Sequence, residues 1–257
     1  MPTASTNRID PTEAAQRIFA ERHARASVLF LAGSVMRGEG TPTSDLDIVV
    51  VYQTLPNSYR ESFMFEGWPV ESFVHDPETL NDTFQEGDAK HGRPSLARMI
   101  VEGREIPAPS DFSASLKRRA VDFIAAGPPR WDEQDFRRMR YRLTDAVDDI
   151  RYPRTPEDLV ATGAQLYELV SDFFLFSRHE WAASRKAIPP RLREVDADFA
   201  ARFREAFESL FVEKHPAPVI ALIEKMLEPF GGFLFDGYRH DAPATNRLTL
   251  EKDSDDG

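Results

Sequence analysis

Gly33-Ser34 is followed, eleven positions after the serine, by Asp45-Leu46-Asp47, with a strand-length apolar run on either side of the pair of motifs. Val28-Leu29-Phe30-Leu31 precedes the glycine, and Ile48-Val49-Val50-Val51-Tyr52 continues from the second acid. Both runs are short, apolar and rich in β-branched or aromatic residues, so they read as buried strands. Alternate residues of a strand point to one face, so Asp45 and Asp47 project together from the start of the second strand. Two carboxylates side by side repel each other unless a cation lies between them. Mg²⁺ suits such a pair, because it is held by one or two carboxylates together with the phosphates of a substrate. The Gly-Ser turn upstream offers backbone N–H groups and a hydroxyl, the groups that bind phosphate oxygens. The combination reads as a site for a metal-bound nucleoside triphosphate.

A third acid strengthens that reading. Trp68-Pro69-Val70-Glu71-Ser72-Phe73-Val74 alternates as a strand, with Val70, Ser72 and Val74 on one face and Glu71 and Phe73 on the other. An ionised carboxylate in the middle of such a strand is costly unless it is paired or metal-bound. The plainer alternative is an exposed position on an open sheet face. Arg37, three residues after Ser34, is placed to steady triphosphate charge, and Ser44 to hydrogen-bond near the phosphates. Lys90, His91 and Arg93 form a basic cluster after the third strand, from which Lys90 and Arg93 are candidate phosphate contacts. Arg185-Lys186 is a weaker candidate of the same kind.

The rest of the chain supplies the frame. Asp10 and Pro11 open a helix expected over 11–26, and a short helix is expected around Val35-Met36-Arg37. Helices are expected from Asp76-Pro77-Glu78 to about 85 and over 95–102. Near Ile106-Pro107-Ala108-Pro109-Ser110 the composition shifts, and helical periodicity prevails beyond it, with helices expected over 112–125, 133–150, 156–184, 197–213 and 217–228. Leu166, Leu169, Phe173, Phe174 and Phe176 form an apolar stripe that reads as core. Gly231-Gly232-Phe233-Leu234-Phe235 is expected as an edge strand. The fold class is therefore α+β: a small mixed-sheet domain over 1–108, an all-α helical domain over 109–240, and an acidic tail over 241–257 expected to be disordered.

Composition bounds the function. The chain has 257 residues, a net charge of −11 and no cysteine, which excludes thiolate metal sites and thiol nucleophiles. The acidic balance disfavours nucleic-acid binding, which rests on Lys and Arg. The six histidines have no zinc-type spacing. The N-terminus lacks an apolar signal core and the longest apolar runs are about five residues, so a cytoplasmic protein with no membrane partner is expected.

Gly33-Ser34…Asp45-x-Asp47…Glu71 resembles the nucleotidyltransferase superfamily related to DNA polymerase beta. The closer likeness is to the aminoglycoside (kanamycin-type) nucleotidyltransferases. Gly33-Ser34-Val35-Met36-Arg37, Ser44-Asp45-Leu46-Asp47, Gly67-Trp68-Pro69-Val70-Glu71 and His91-Gly92 fall in that family's order. Met36 departs from it, standing where the family has the second glycine of Gly-Ser-x-Gly-Arg. The likeness is specific over about 28–92, and beyond that it is one of helical type and length. It implies two Mg²⁺ ions on Asp45, Asp47 and Glu71, ATP as co-substrate, and transfer of a nucleoside monophosphate to an acceptor hydroxyl with loss of pyrophosphate. It also implies a carboxylate base on a helix of the second domain. Tyr141-Arg142-Leu143-Thr144-Asp145-Ala146-Val147-Asp148-Asp149-Ile150 is the matching stretch, with Asp145 and Asp149 on one face and Asp148 on its flank. A solvated acidic face paired with Arg138, Arg142 and Arg151 is an equally good account of those three acids. Enzymes of this type can build their sites across a homodimer.

Two functions compete. One is modification of a small hydroxylated acceptor, an aminoglycoside-like antibiotic being the example. The other is adenylylation of a partner protein, an antitoxin-like or regulatory one. Minimal protein-modifying enzymes of this class are short and lack a fused helical domain, so the roughly 130 helical residues here favour the small molecule. A non-catalytic nucleotide-binding module is disfavoured by the presence of all three acids.

Overall fold

Alternation along 68–75 decides which face of a sheet each side chain takes. In the structure, a computed structural model that describes residues 8–241, Trp68, Val70, Ser72 and Val74 are buried, while Pro69, Glu71 and Phe73 are half-buried on the opposite face. This strand, β4 (Trp68–His75), joins β1 (Val28–Ala32), β2 (Leu46–Val51), β3 (Tyr59–Phe65) and β5 (Arg104–Ile106). The sheet order is β3-β4-β2-β1-β5, with β2 and β4 parallel and the other neighbours antiparallel. The mixed sheet and the helices that follow it make the fold α+β.

The chain divides into two compact units. One runs to Arg130 and includes Leu175–Ser184; the other comprises Trp131–Phe174 and the chain from Arg185. In the first unit helices cover both sheet faces. Ala14 and Ile18 of α1 (Pro11–Arg22) pack with Leu29, Leu31, Ile48, Val50 and Val70. On the other face Val28, Phe30, Val49 and Val51 meet Leu80 of α3 (Pro77–Asp82, numbered after the short α2, Gly33–Met36), Leu96 and Ile100 of α4 (Ser95–Glu102), and Leu116 and Ala120 of α5 (Asp111–Ala126). A strand covered on both faces has no polar side to alternate, which is why 48–51 reads as an unbroken apolar run. Burying each such side chain stabilises the fold by about 1.5–3 kcal/mol.

The second unit contains α6 (Glu133–Arg151), α7 (Pro156–Phe176, its last two residues counted with the first unit), α8 (Ile188–Val195), α9 (Ala197–Val212) and α10 (Ala217–Leu227). Aromatic side chains hold it together. Phe174 stacks on Phe199 at 3.5 Å between ring centroids, and Tyr167 meets Phe203 and Phe207 edge-on. Gly163 lets α7 approach Leu210 of α9, where a β-carbon would lie 2.8 Å from Leu210 Cδ2. By length and composition α7 could cross a membrane, but half of that stretch is buried inside the protein. Leu166, Leu169, Phe173 and Phe174 are core, as the stripe predicts, whereas Phe176 is only half-buried.

Several expectations are corrected. The first helix stops at Arg22 rather than 26, because buried His23 turns inward and its Nδ1 pairs with the Tyr52 hydroxyl at 2.9 Å. Burial lowers the His23 pKa, against the opposing pull of Glu61. The helix expected over 156–184 ends at Phe176. His179 adopts a left-handed backbone, Trp181 Nε1 donates to Ile124 O at 2.8 Å, and the Ala182 amide donates to Gly92 O at 2.9 Å. The edge strand expected at 231–235 does not form. That segment is irregular and strapped to α6, with Arg140 donating to the Gly231 and Gly232 carbonyls and the Leu234 amide donating to Thr144 Oγ1. β3, β5 and α8 are additions to the expected elements. The expected acidic tail, from 242 on, lies outside the described residues.

One buried acid holds the second layer in place. After α3 the chain continues as a π-helical segment, Thr83–Ala89, which carries Asp88. Pro94 stands at the N-cap of α4 and has no side chain able to cap it. Asp88 substitutes, accepting from the Leu96 and Ala97 amides at 3.1 and 3.3 Å while only 8% exposed. Burial pushes its carboxyl up from 3.8 to about 6, outweighing the amide bonds that oppose the shift. The folded state therefore holds the proton more tightly than the unfolded chain. The stability this confers is complete below 3.8 and is lost as pH rises to about 6. A shift of about two pKa units corresponds to about 3 kcal/mol. Asp88→Asn keeps an acceptor for the cap and removes the titration. Urea unfolding at pH 4 and pH 6.5 should show the wild type losing about 2–3 kcal/mol relative to this variant. A difference that does not change with pH would refute the assignment.

Candidate active site

Parallel pairing of β2 with β4 sets Asp47 directly opposite Glu71, and the same register places Leu46 opposite Val70. On its other side Asp47 faces Ala32 of β1. Asp45 immediately precedes β2 and points the same way. One carboxylate oxygen from each of Asp45, Asp47 and Glu71 lies within 4.8 Å of the other two, and all three residues are half-buried. The structure thus brings the three predicted acids together. Their donor set is oxygen-only, charged and partly open to solvent, which fits a hard divalent cation.

Small residues make room for the acids. Gly33 follows Ala32 with φ +85, and a β-carbon there would run into the Asp47 carboxylate, with Asp47 Cβ and Cγ each 3.1 Å away. α2 begins at this glycine. Ser34 Oγ lies 3.4 Å from Ser44 Oγ, and Ser44 Oγ accepts from the Thr41 amide at 2.8 Å. The two predicted serines are therefore neighbours across the loop that joins β1 to β2. Met36 ends α2 in an ordinary right-handed backbone and packs against the core under the sheet, so a side chain is accommodated at this position. Arg8 braces the loop from below, donating to Ser44 O at 3.0 Å and Gly67 O at 3.1 Å and lying over the Trp68 ring.

The predicted cations are engaged elsewhere. Arg37 pairs with Glu39 at 3.1 Å and Glu102 at 3.2 Å. Lys90 pairs with Glu86, one turn back along the helix. Arg93 donates to the Ala183 and His91 carbonyls. Gly92, between His91 and Arg93, has φ +63 and lies against the Phe176 ring, so this motif secures the returning segment to its own unit. Asp145, Asp148 and Asp149 are exposed on α6 of the second unit, where Arg151 lies 3.6 Å from Asp148.

One residue that the sequence reading passed over touches the triad. Arg60 on β3 donates to Glu71 Oε2 at 2.7 Å and lies over the Phe73 ring, 4.8 Å from its centroid. Glu66-Gly67, both with positive φ, closes a two-residue hairpin between β3 and β4, and Gly67 was its one local signal in the sequence.

A family comparison agrees with this geometry over the part of the chain that bears the acids. Residues 14–102 match the family model for a nucleotidyltransferase domain. No curated protein matches the chain. Among solved structures the chain is similar to a nucleotidyltransferase-like protein from Exiguobacterium sibiricum 255-15, at 13% identity and a TM-score of 0.44, over 84% of this chain and 74% of that one. Residues 14–102 carry a nucleotidyltransferase domain, and that is the class of enzyme this part of the chain matches.

Gly33→Ala tests the close approach to Asp47. It adds both a left-handed backbone penalty and a collision, about 2–4 kcal/mol together. Gly38 has φ +73 with nothing within 4 Å of its would-be β-carbon, so Gly38→Ala should lose only the backbone part, about 1–2 kcal/mol. Equal urea midpoints for the two variants would show that Gly33 is not needed to clear the carboxylate.

Proposed function

We propose that the enzyme transfers AMP from ATP to a hydroxyl of a small molecule and releases pyrophosphate. The observation that carries this reading is the convergence of three carboxylate oxygens on adjacent parallel strands beside the Gly33-Ser34 turn. Asp45, Asp47 and Glu71 would hold Mg²⁺, two ions in all. Bound there, Mg²⁺ supplies charge neutralisation for the triphosphate and lowers the pKa of the acceptor hydroxyl. The hydroxyl oxygen forms the new bond to the α-phosphorus as the bond to the pyrophosphate oxygen breaks. The proton of the hydroxyl passes to a carboxylate, for which Asp145, Asp148 and Asp149 are the candidates. The Ser34 and Ser44 hydroxyls and the amides of the turn at Gly33 are donors for phosphate oxygens. Arg37, Lys90 and Arg93 reach phosphate only by exchanging the partners they hold in this structure.

The acceptor class is an aminoglycoside-like polyol. The likeness of the motifs to the kanamycin-type enzymes supports it, as does the acidic balance of the chain, which suits a polycationic ligand. Pyrophosphate release should be measured with Mg²⁺ and each of the four nucleoside triphosphates across aminoglycosides, lincosamides and other polyols. ATP with one acceptor class is the expected positive. ATP binding with no release across the panel would move the search to protein acceptors.

Asp47→Asn should leave the fold intact and reduce turnover by about two orders of magnitude or more. Normal turnover in that variant would refute the metal assignment. Among Asp145→Asn, Asp148→Asn and Asp149→Asn, one should lower kcat with the KM for ATP unchanged. Full activity in all three would place the base elsewhere.

A further inference from the structure

We infer that Arg60 is a positioning residue for the metal site, fixing the carboxylate of Glu71 so that it can share a cation with Asp45 and Asp47. The inference rests on the metal-site reading above and concerns what makes that site rigid. Glu71 projects from the middle of β4, and its side chain can turn about several bonds. Arg60 removes that freedom. Its guanidinium donates to Oε2 at 2.7 Å, leaving Oε1 and the remaining lone pairs of the carboxylate for a cation.

Arg60 is itself held from two sides. The antiparallel register puts it opposite Phe73, two residues along from Glu71 on the same face, the diagonal reach of a long side chain. Its guanidinium then stacks over the Phe73 ring at 4.8 Å. Ser62, directly opposite Glu71, is too short to clamp it. The geometry is that of a ligand carboxylate whose outer partner sets its orientation.

Arg60 also carries a positive charge, which opposes a cation on the same carboxylate. Exposure decides which effect prevails. The Arg60 side chain is 56% exposed and that of Glu71 34%, so solvent screens the repulsion. The directional bond and the stacking persist. Orientation therefore outweighs repulsion, and loss of Arg60 weakens cation binding.

The test is Mn²⁺ binding to the full chain, followed by electron paramagnetic resonance without nucleotide or acceptor. Arg60→Ala should weaken Mn²⁺ binding by about 10–100-fold, with an unchanged melting temperature. Arg60→Lys, which keeps a donor and a charge, should recover part of the loss. Asp47→Asn serves as the control for the site itself. Unchanged or tighter Mn²⁺ binding in Arg60→Ala, with binding lost in Asp47→Asn, would overturn the role of Arg60 and leave the metal site standing. Equal binding in the wild type and Asp47→Asn, or none in either, would instead overturn the metal site and the present inference with it.

Discussion

The structure is organised around an unfavourable contact: three carboxylates gathered within 4.8 Å of one another at one end of a sheet. Like charges so close are tolerated only where something else fixes the backbone beneath them. Here the parallel ladder between β2 and β4 does so, six residues long, with Ile48, Val50, Val70 and Val74 buried on one face and Val49 and Val51 on the other. A slip of one residue would turn Asp47 toward the face packed against α1 and set an apolar residue opposite Glu71. The hydrophobic pattern thus sets the register, and the register sets the site. Asp10, Asp88 and Ser110 cap the helices that cover the sheet, so the layer behind the acids is anchored at its N-terminal ends.

What was legible in the sequence follows from this. Strands covered on both faces announce themselves as apolar runs, and β1 and β2 were readable for that reason. β4 was readable from its alternation, which placed Glu71 on the face of Asp47. β3 carries Tyr59, Glu61, Phe63 and Phe65 on one face and Arg60, Ser62 and Met64 on the other. As an edge strand it is exposed at Tyr59 and Met64, and its pattern is too weak to separate from a loop. Its turn, Glu66-Gly67, lacks the Asn or Asp that usually marks such hairpins. β5 has three residues, too few for periodicity. The over-long helix at 156–184 was extended by Arg, His and Ala, all compatible with helix. It is stopped by tertiary bonds from Trp181 and Ala182 that no local propensity reveals. The strand expected at 231–235 failed for the same reason: α6 offers arginine donors to those carbonyls, and no strand edge is needed.

The cations tell the same story in electrostatic terms. Proximity in sequence singled out Arg37, Lys90 and Arg93, since each follows a motif. In the fold, Arg37 is satisfied by Glu39 and Glu102, Lys90 by Glu86, and Arg93 by carbonyls. Arg60 lies eleven residues before Glu71 and belongs to no motif, yet the hairpin folds it back onto the triad. In a sheet, a side chain's neighbours are set by register across the ladder, not by distance along the chain. A local motif can therefore identify ligands that share one strand, as Asp45 and Asp47 do. The charges that orient those ligands come from strands paired later, and reading them from sequence requires the pairing first. This also explains how a chain with a net charge of −11 sustains an acidic site. Part of the compensation is local, the Arg60 guanidinium on Glu71 Oε2.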